Sequence, residues 1–216
     1  MFTGIVQDCL PVATLEQKVG LTTLSFQFTP TLLDGLQIGA SVALNGTCCT
    51  VTRIEGDRVS FDAIAETLRL TNLSDLVAGS PVNIERSAKV GDEIGGHLMS
   101  GHIVGTAQVK SVDESENNRR IMFSLDPAWC PYVFHKGFLA LNGASLTVAS
   151  IDKAQAEMSV TLIPETLRVT NFALLQPGDR VNVELDQQTQ AIVDTVTRVL
   201  AEQQAGIDAE SKLLVG

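Results

Sequence analysis

The seven residues Glu66-Thr67-Leu68-Arg69-Leu70-Thr71-Asn72 return 99 residues later as Glu165-Thr166-Leu167-Arg168-Val169-Thr170-Asn171, with one conservative change. Other blocks keep step with them. Leu44-Asn45-Gly46 returns as Leu141-Asn142-Gly143 at an offset of 97, which Gly4 and Gly101 share. Pro81-Val82-Asn83-Ile84-Glu85 answers Arg180-Val181-Asn182-Val183-Glu184, again at 99. A two-residue insertion near Lys153 to Glu157 accounts for the change of offset. Four blocks in one order at nearly one spacing mark a tandem duplication. The period is too long and the copies too few for a solenoid. Two similar small domains are expected, over residues 1–97 and 98–186.

Within each half the pattern is β. Val181-Asn182-Val183-Glu184-Leu185 alternates apolar and polar residues, so its apolar side chains share one face, as do those of Val82-Asn83-Ile84-Glu85. Val59, Phe61 and Ala63 line one face of another strand. Glu55-Gly56-Asp57 and Pro177-Gly178-Asp179 read as turns between strands. Several short strands in about 90 residues suit a small closed barrel or sandwich. Asn72 and Asn171 read as N-caps of a short helical segment in each half. After the repeats, Ile192, Val193, Val196, Val199 and Leu200 form one apolar stripe on a helix over 187–205, with Asp194, Arg198 and Glu202 on its polar side. The stripe fits packing on its own domain and association between subunits equally. A frayed tail is expected over 206–216.

Composition excludes some functions. A net charge of −10 is wrong for a surface that grips nucleic acid or an anionic membrane. No apolar run approaches the length needed to span a bilayer. The N-terminus carries no basic and apolar segment of the secretory kind. Cys9, Cys48, Cys49 and Cys130 have no C-x-x-C spacing and read as reduced thiols in a cytoplasmic protein.

The residues that could carry chemistry emerge when the halves are compared. The stretch from Gly91 to Gly105 holds His97 and His102 at the junction of the halves. It matches neither a dinucleotide fingerprint nor a phosphate loop. Read as a strand, it puts the two histidines on opposite faces, so no shared metal is expected, and no zinc ligand set is present. His102 stands where the first half has Ile5. An imidazole gained at one of two equivalent positions fits proton transfer, and fits equally a satisfied polar residue at the junction. Asn45-Gly46-Thr47-Cys48-Cys49-Thr50 answers Asn142-Gly143-Ala144-Ser145-Leu146-Thr147. On a strand, Cys48 and Thr50 share a face while Cys49 turns away, and Ser145 and Thr147 share the equivalent face. Cys48 could equally be a small buried hydrophobe. No hydrolase nucleophile elbow is present.

Met-Phe-Thr-Gly-Ile-Val, Asp-Glu-Ile-Gly-Gly-His-Leu-Met-Ser-Gly-His, Asn-Gly-x-Ser-Leu-Thr, Leu-Ile-Pro-Glu-Thr-Leu and Gln-Thr-Gln-Ala-Ile-Val-Asp-Thr-Val resemble the α-chain type of riboflavin synthase over all but the last ten or so residues. The resemblance implies an all-β chain of two tandem six-stranded Greek-key barrels plus a C-terminal α-helix, assembled as a homotrimer through that helix. It implies a transferase that needs no cofactor or metal. Two 6,7-dimethyl-8-ribityllumazine molecules yield riboflavin and 5-amino-6-(D-ribitylamino)uracil. Each barrel would bind one lumazine, with the first barrel of one subunit facing the second barrel of another. By resemblance, Gly4, Ile5, Val6, Ser145, Leu146, Thr147 and the stretch Thr161, Leu162, Ile163, Pro164, Glu165 and Thr166 line one site. Cys48, Cys49, Thr50, Asp62, Ala63, Ile64, Ala65, Glu66, Thr67, Gly101, His102 and Ile103 line the other. Ser41, Asp186 and Lys136, the last from a neighbouring chain, complete the set. The catalytic candidates are His102 paired with Thr147 for proton transfer, and Ser145 and Cys48 for activating or positioning a nucleophile. Cys49 departs from the family pattern, where Leu is common. Association with a lumazine synthase is a further partner that the resemblance allows. The rival reading is a non-catalytic, lumazine- or flavin-binding fluorescent protein of the same fold. Such relatives lose matching residues in one half, whereas here both halves keep Glu-Thr-Leu-Arg and Asn-Gly.

Overall fold

The computed structural model describes the backbone of residues 1–215 and the side chains of 1–205 and Ile207. Six strands build the first half: β1 (Asp8–Lys18), β2 (Leu21–Gln27), β3 (Ser41–Leu44), β4 (Thr47–Glu55), β5 (Arg58–Ile64) and β6 (Pro81–Arg86), with α1 (Pro30–Leu33) after β2 and α2 (Ala65–Leu70) after β5. They close antiparallel in the order β1-β2-β5-β4-β3-β6. β6 returns to lie between β1 and β3, which is the Greek-key step. Alternation decides what fills the barrel. Cys49, Val51, Val59 and Phe61 point inward with Leu24, Phe26, Val42 and Ile84.

The second half repeats the plan with β7 (Gly105–Glu114), β8 (Arg119–Ser124), β9 (Phe138–Leu141), β10 (Ala144–Thr147), β11 (Ser150–Asp152), β12 (Glu157–Leu162), α3 (Pro164–Val169) and β13 (Arg180–Glu184). Its sheet runs β10-β9-β13-β7-β8-β12-β11. β10 and β11 together occupy the place of β4. β10 ends at Thr147 and β11 begins at Ser150, and the Val148 amide donates to Gly137 as the Val51 amide of β4 donates to Ala40. The turn before β12 spans 153–156 where the first half has only Gly56-Asp57, which places the two-residue insertion. Even the bulge is repeated, between Val12 and Thr14 in β1 and between Val109 and Ser111 in β7.

The two barrels meet across an approximate twofold axis. Asn45-Gly46 and Asn142-Gly143 are two-residue hairpin turns with all four residues at positive φ, the geometry for which Asn-Gly is selected. The turns lie back to back. A Cβ on Gly46 would sit 2.7 Å from the amide nitrogen of Gly143, and one on Gly143 would sit 2.6 Å from that of Gly46. Around them six buried asparagines, paired by the repeat, bond across the halves. Asn72 Nδ2 donates to Asn142 Oδ1, Asn171 Nδ2 to Asn45 Oδ1, and Asn83 Nδ2 to the Asn142 carbonyl. Asn182 Nδ2 donates to the Asn45 carbonyl.

The helical turns after each Thr-Asn are present as 3-10 segments, Asn72–Asp75 and Asn171–Leu174, but the asparagines do not cap them. Thr71 and Thr170 are the N-caps, each accepting from the amide two residues on. Asn72 and Asn171 are thereby free to turn into the interface.

The chain ends in α4 (Gln187–Val215). Asp186 caps it, accepting from the Thr189 amide and hydroxyl. The helix continues beyond residue 205, where the sequence reading ended it. A lone glycine at 206 costs about 1 kcal/mol and does not stop a helix. The tail expected over 206–216 lies, apart from the helical backbone to Val215 and the Ile207 side chain, outside the described residues.

Candidate functional site

The outer faces of β4 and β10 carry the two small polar pairs. Pleating sends Cys49 and Leu146 into the two barrel cores and leaves Cys48, Thr50, Ser145 and Thr147 outside. Ala63 and Leu162 also point inward, and Val6 is buried in the second barrel's core. Only the backbone of these five can serve a site on the outer face. Burial pushes the Cys49 thiol up to about 12, with Cys48 beside it adding to the rise.

Each outer face is covered by a segment that leads into the opposite barrel. The Gly4 carbonyl accepts from the Ser145 amide at 2.9 Å, and the Gly101 carbonyl accepts from the Cys48 amide at 2.9 Å. Both glycines have positive φ, and a Cβ would fall 2.5 Å from that of Ser145 or 2.6 Å from that of Cys48. Two glycines are therefore required by close approach as well as by backbone conformation. The exchange places the Gly4–Ile5 peptide on Ser145 and the Gly101–His102 peptide on Cys48. Phe2 and Met99, joined by reciprocal backbone bonds, lie between the faces with Ala43 and Ala140.

The glycine-rich junction does not run as a strand at its histidines. Pleating therefore does not separate His97 from His102; His97 meets Ser145 of the second barrel, and the peptide before His102 meets Cys48 of the first. His97 Nδ1 lies 2.6 Å from Ser145 Oγ, and its ring stacks on Phe138 at 5.4 Å with 20° between planes. His97 is 8% exposed and Phe138 is 52% exposed. Burial holds the imidazole below its usual value, with the Asp186 carboxylate pulling the other way. Among the described residues, His97 Nε2 has no hydrogen-bond partner. An orphaned lone pair is cheaper to bury than an orphaned N–H, which favours the proton on Nδ1, donated to Ser145 Oγ. The Ser145 hydrogen can then point to the open face.

His97 was missed at the sequence level because it has no repeat counterpart: an offset of 97 precedes residue 1. Phe138 was missed too. It occupies the place of Ser41, opposite Thr147 as Ser41 is opposite Thr50. The second face therefore carries an aromatic ring, with His97 stacked on it, where the first has Ser41.

The remaining candidates lie on the rims of the two faces. Asp62 and Thr161 are exposed at equivalent points of β5 and β12, Asp62 accepting from Thr23 Oγ1. Ile64 and Ile163 are exposed apolar residues leading into α2 and α3. Pro164 opens α3 where Ala65 opens α2. Glu66 and Glu165 are held by Arg69 and Arg168, which keep both carboxyls below the usual range. The Thr67 and Thr166 carbonyls accept from the cap threonines. Ile103 is half-buried near the hairpin axis. Lys136 is exposed at positive φ before β9. His102 makes no side-chain hydrogen bond to Thr147 among the described residues, because the exchange puts them on different barrels.

Comparison with known proteins agrees with this two-fold plan. The lumazine binding domain model matches twice, over residues 3–87 and 100–186. A riboflavin synthase of Escherichia coli (strain K12) is 52% identical over 93% of this chain and 94% of its own length. One from Chlamydia pneumoniae is 41% identical over 93% of this chain and 98% of its own. The crystal structure of LumP complexed with riboflavin superposes with a TM-score of 0.79 at 26% identity, covering 87% of this chain and 100% of that one. With two lumazine binding domains and such identity along nearly its whole length, the chain belongs to the riboflavin synthase family.

Proposed function

We propose that the protein is a riboflavin synthase that moves a four-carbon unit between two identical 6,7-dimethyl-8-ribityllumazine molecules, releasing riboflavin and 5-amino-6-(D-ribitylamino)uracil. One observation carries the reading. Both copies of the outer strand face are intact, each with a small polar pair and each covered by a glycine from the opposite half. Two copies of one substrate suit two copies of one face, and the differences between the faces let the two molecules play different roles.

The lumazine C7 methyl is acidic because its carbanion delocalises into the ring, so the protein need only help remove a proton. His102 with Thr147 is the candidate for that transfer, and Ser145 and Cys48 are candidates for positioning a nucleophile. The Gly101–His102 peptide is bonded to the first barrel at Cys48, and Thr147 lies on the second. They can meet on one pair of rings only if the first barrel of one copy faces the second barrel of another. The exposed stripe Ile192, Val196, Val199 and Leu200 on α4 supports such a homotrimer. The substrate would come from a lumazine synthase, as supplier or as partner, and the four free thiols fit a cytoplasmic setting. Holding two rings in register supplies roughly 7–11 kcal/mol of the barrier lowering.

The test is to mix the pure protein with the lumazine in excess chelator and follow riboflavin by absorbance and chromatography. One riboflavin per two lumazines consumed is expected. Binding without product would favour the fluorescent-binder reading. His102→Ala is expected to slow turnover on the order of 10²–10⁴-fold with binding retained. Full turnover would remove His102 from the mechanism.

A further inference from the structure

Two buried carboxylates hold the same post in the two halves, and neither has been given a part in the site. Glu85, at the end of β6, accepts from the Thr3 amide at 2.6 Å and the Thr3 hydroxyl at 2.8 Å on one oxygen, and from the Gly4 amide at 3.1 Å on the other. Glu184, at the end of β13, accepts from the Ser100 amide at 2.6 Å, the Ser100 hydroxyl at 2.8 Å and the Gly101 amide at 3.0 Å. The hydroxyls pass the constraint on. Thr3 Oγ1 accepts from the Ile5 amide at 3.3 Å, and Ser100 Oγ accepts from the His102 amide at 3.2 Å. The peptide fixed in this way has its carbonyl on the other barrel, Gly4 on Ser145 and Gly101 on Cys48.

We propose that Glu85 and Glu184 are positioning residues wired across the molecule, each setting the ligand site of the barrel to which it does not belong. Glu184 of the second barrel fixes the Gly101–His102 peptide against Cys48 on the first barrel's face. Glu85 of the first barrel fixes the Gly4–Ile5 peptide against Ser145 on the second barrel's face. Charged acceptors with several donors are short and directional, so each relay fixes a peptide plane rather than merely filling a core. A tandem chain wired this way cannot lose one barrel's geometry without disturbing the partner's site. The inference rests on the proposed function, because it takes both outer faces as ligand sites.

The experiment uses the full-length chain and ¹³C-labelled riboflavin, the product, as probe. Two bound environments are expected by NMR. Cys48→Ala and Ser145→Ala assign them, each moving the signal of its own face. Glu184→Gln is then expected to shift the Cys48-assigned signal and weaken that site about tenfold, leaving the other in place. Glu85→Gln is expected to do the converse. Thr3→Val and Ser100→Ala break the relays while the carboxylates keep their amide donors, so they give the same readout if the Gln variants fail to fold. Ser100→Thr, which keeps the hydroxyl, is expected to restore the first site. Effects confined to a variant's own barrel, or equal at both sites, would overturn the wiring alone. A wild-type chain without two bound environments would overturn the proposed function and the wiring with it.

Discussion

Single residues on the two faces are told apart by burial and by what they touch. Cys49 and Cys48 are neighbours in sequence with opposite surroundings. Iodoacetamide near pH 8 is expected to leave Cys49 unlabelled in the folded chain, since burial pushes its thiol up to about 12 and only thiolate reacts. Cys49→Leu is expected to keep turnover per folded molecule and to cost about 1–3 kcal/mol at most, because it adds volume to a packed core behind the face. Rapid labelling of Cys49 by mass spectrometry would contradict the inward placement. His97 makes a pH prediction. Burial lowers its folded value below 6.5, so the unfolded chain takes up a proton that the folded chain refuses, and stability is lost as pH falls below 6.5. Glu85 and Glu184 act in the opposite sense. Burial raises both above 4.5, outweighing their N–H donors, so the stability they contribute is full below 4.5 and is lost as pH rises through the folded value. The fall in urea midpoint on acidification from about pH 7.5 to about pH 5 is therefore expected to be smaller in His97→Asn than in the wild type.

Among the elements, α4 is the one whose surroundings least match its composition. Its first turns dock on the second barrel, where the Tyr132 hydroxyl donates to Asp194 at 2.6 Å and Val193 is half-buried. Beyond that the apolar stripe faces outward. Exposed contiguous apolar surface of this kind marks association. The double substitution Ile192→Asp and Val196→Asp is expected to give monomers by analytical ultracentrifugation, with far-UV circular dichroism of the barrels retained and turnover lost. Trimers that persist with those aspartates would place the interface elsewhere. The strands keep the repeat even where their bounds differ: β10 ends at Thr147, and β4 runs on past Thr50 through a bulge between Val51 and Arg53.

At the scale of the molecule, the two Asn-Gly hairpins are the hinge on which everything else depends. Gly46→Ala is expected to cost well over 2 kcal/mol in urea unfolding, because the strain of positive φ, about 1–2 kcal/mol, is joined by a backbone clash with Gly143. Gly20→Ala has the same sign of φ and no atom within 4 Å, so the strain of about 1–2 kcal/mol is all it should cost. Equal losses in the two variants would mean that the hairpins do not press on each other. The exchanged covers over Ser145 and Cys48 depend on the same contact, since only docked barrels bring Gly4 and Gly101 to the opposite strands.

Much of this was legible in order and period. The repeat gave two domains, alternation gave the strands and the inward turn of Cys49, and the stripe gave a helix. These are local properties, written in which side chains recur at which spacing. The asparagines were visible as repeat pairs at 45 and 142, 72 and 171, and 83 and 182, but their bonding was not, because a hydrogen bond between halves has no signature in spacing. The same holds for His97 beside Ser145, 48 residues away, and for Glu85 acting on residues 82 positions earlier. Sequence alone determined that two similar β domains exist and which of their positions differ. Only the tertiary structure decided which half covers which face, because that depends on how a closed barrel and a curled sheet dock, and docking is set by shape and unmet hydrogen bonds rather than by pattern along the chain.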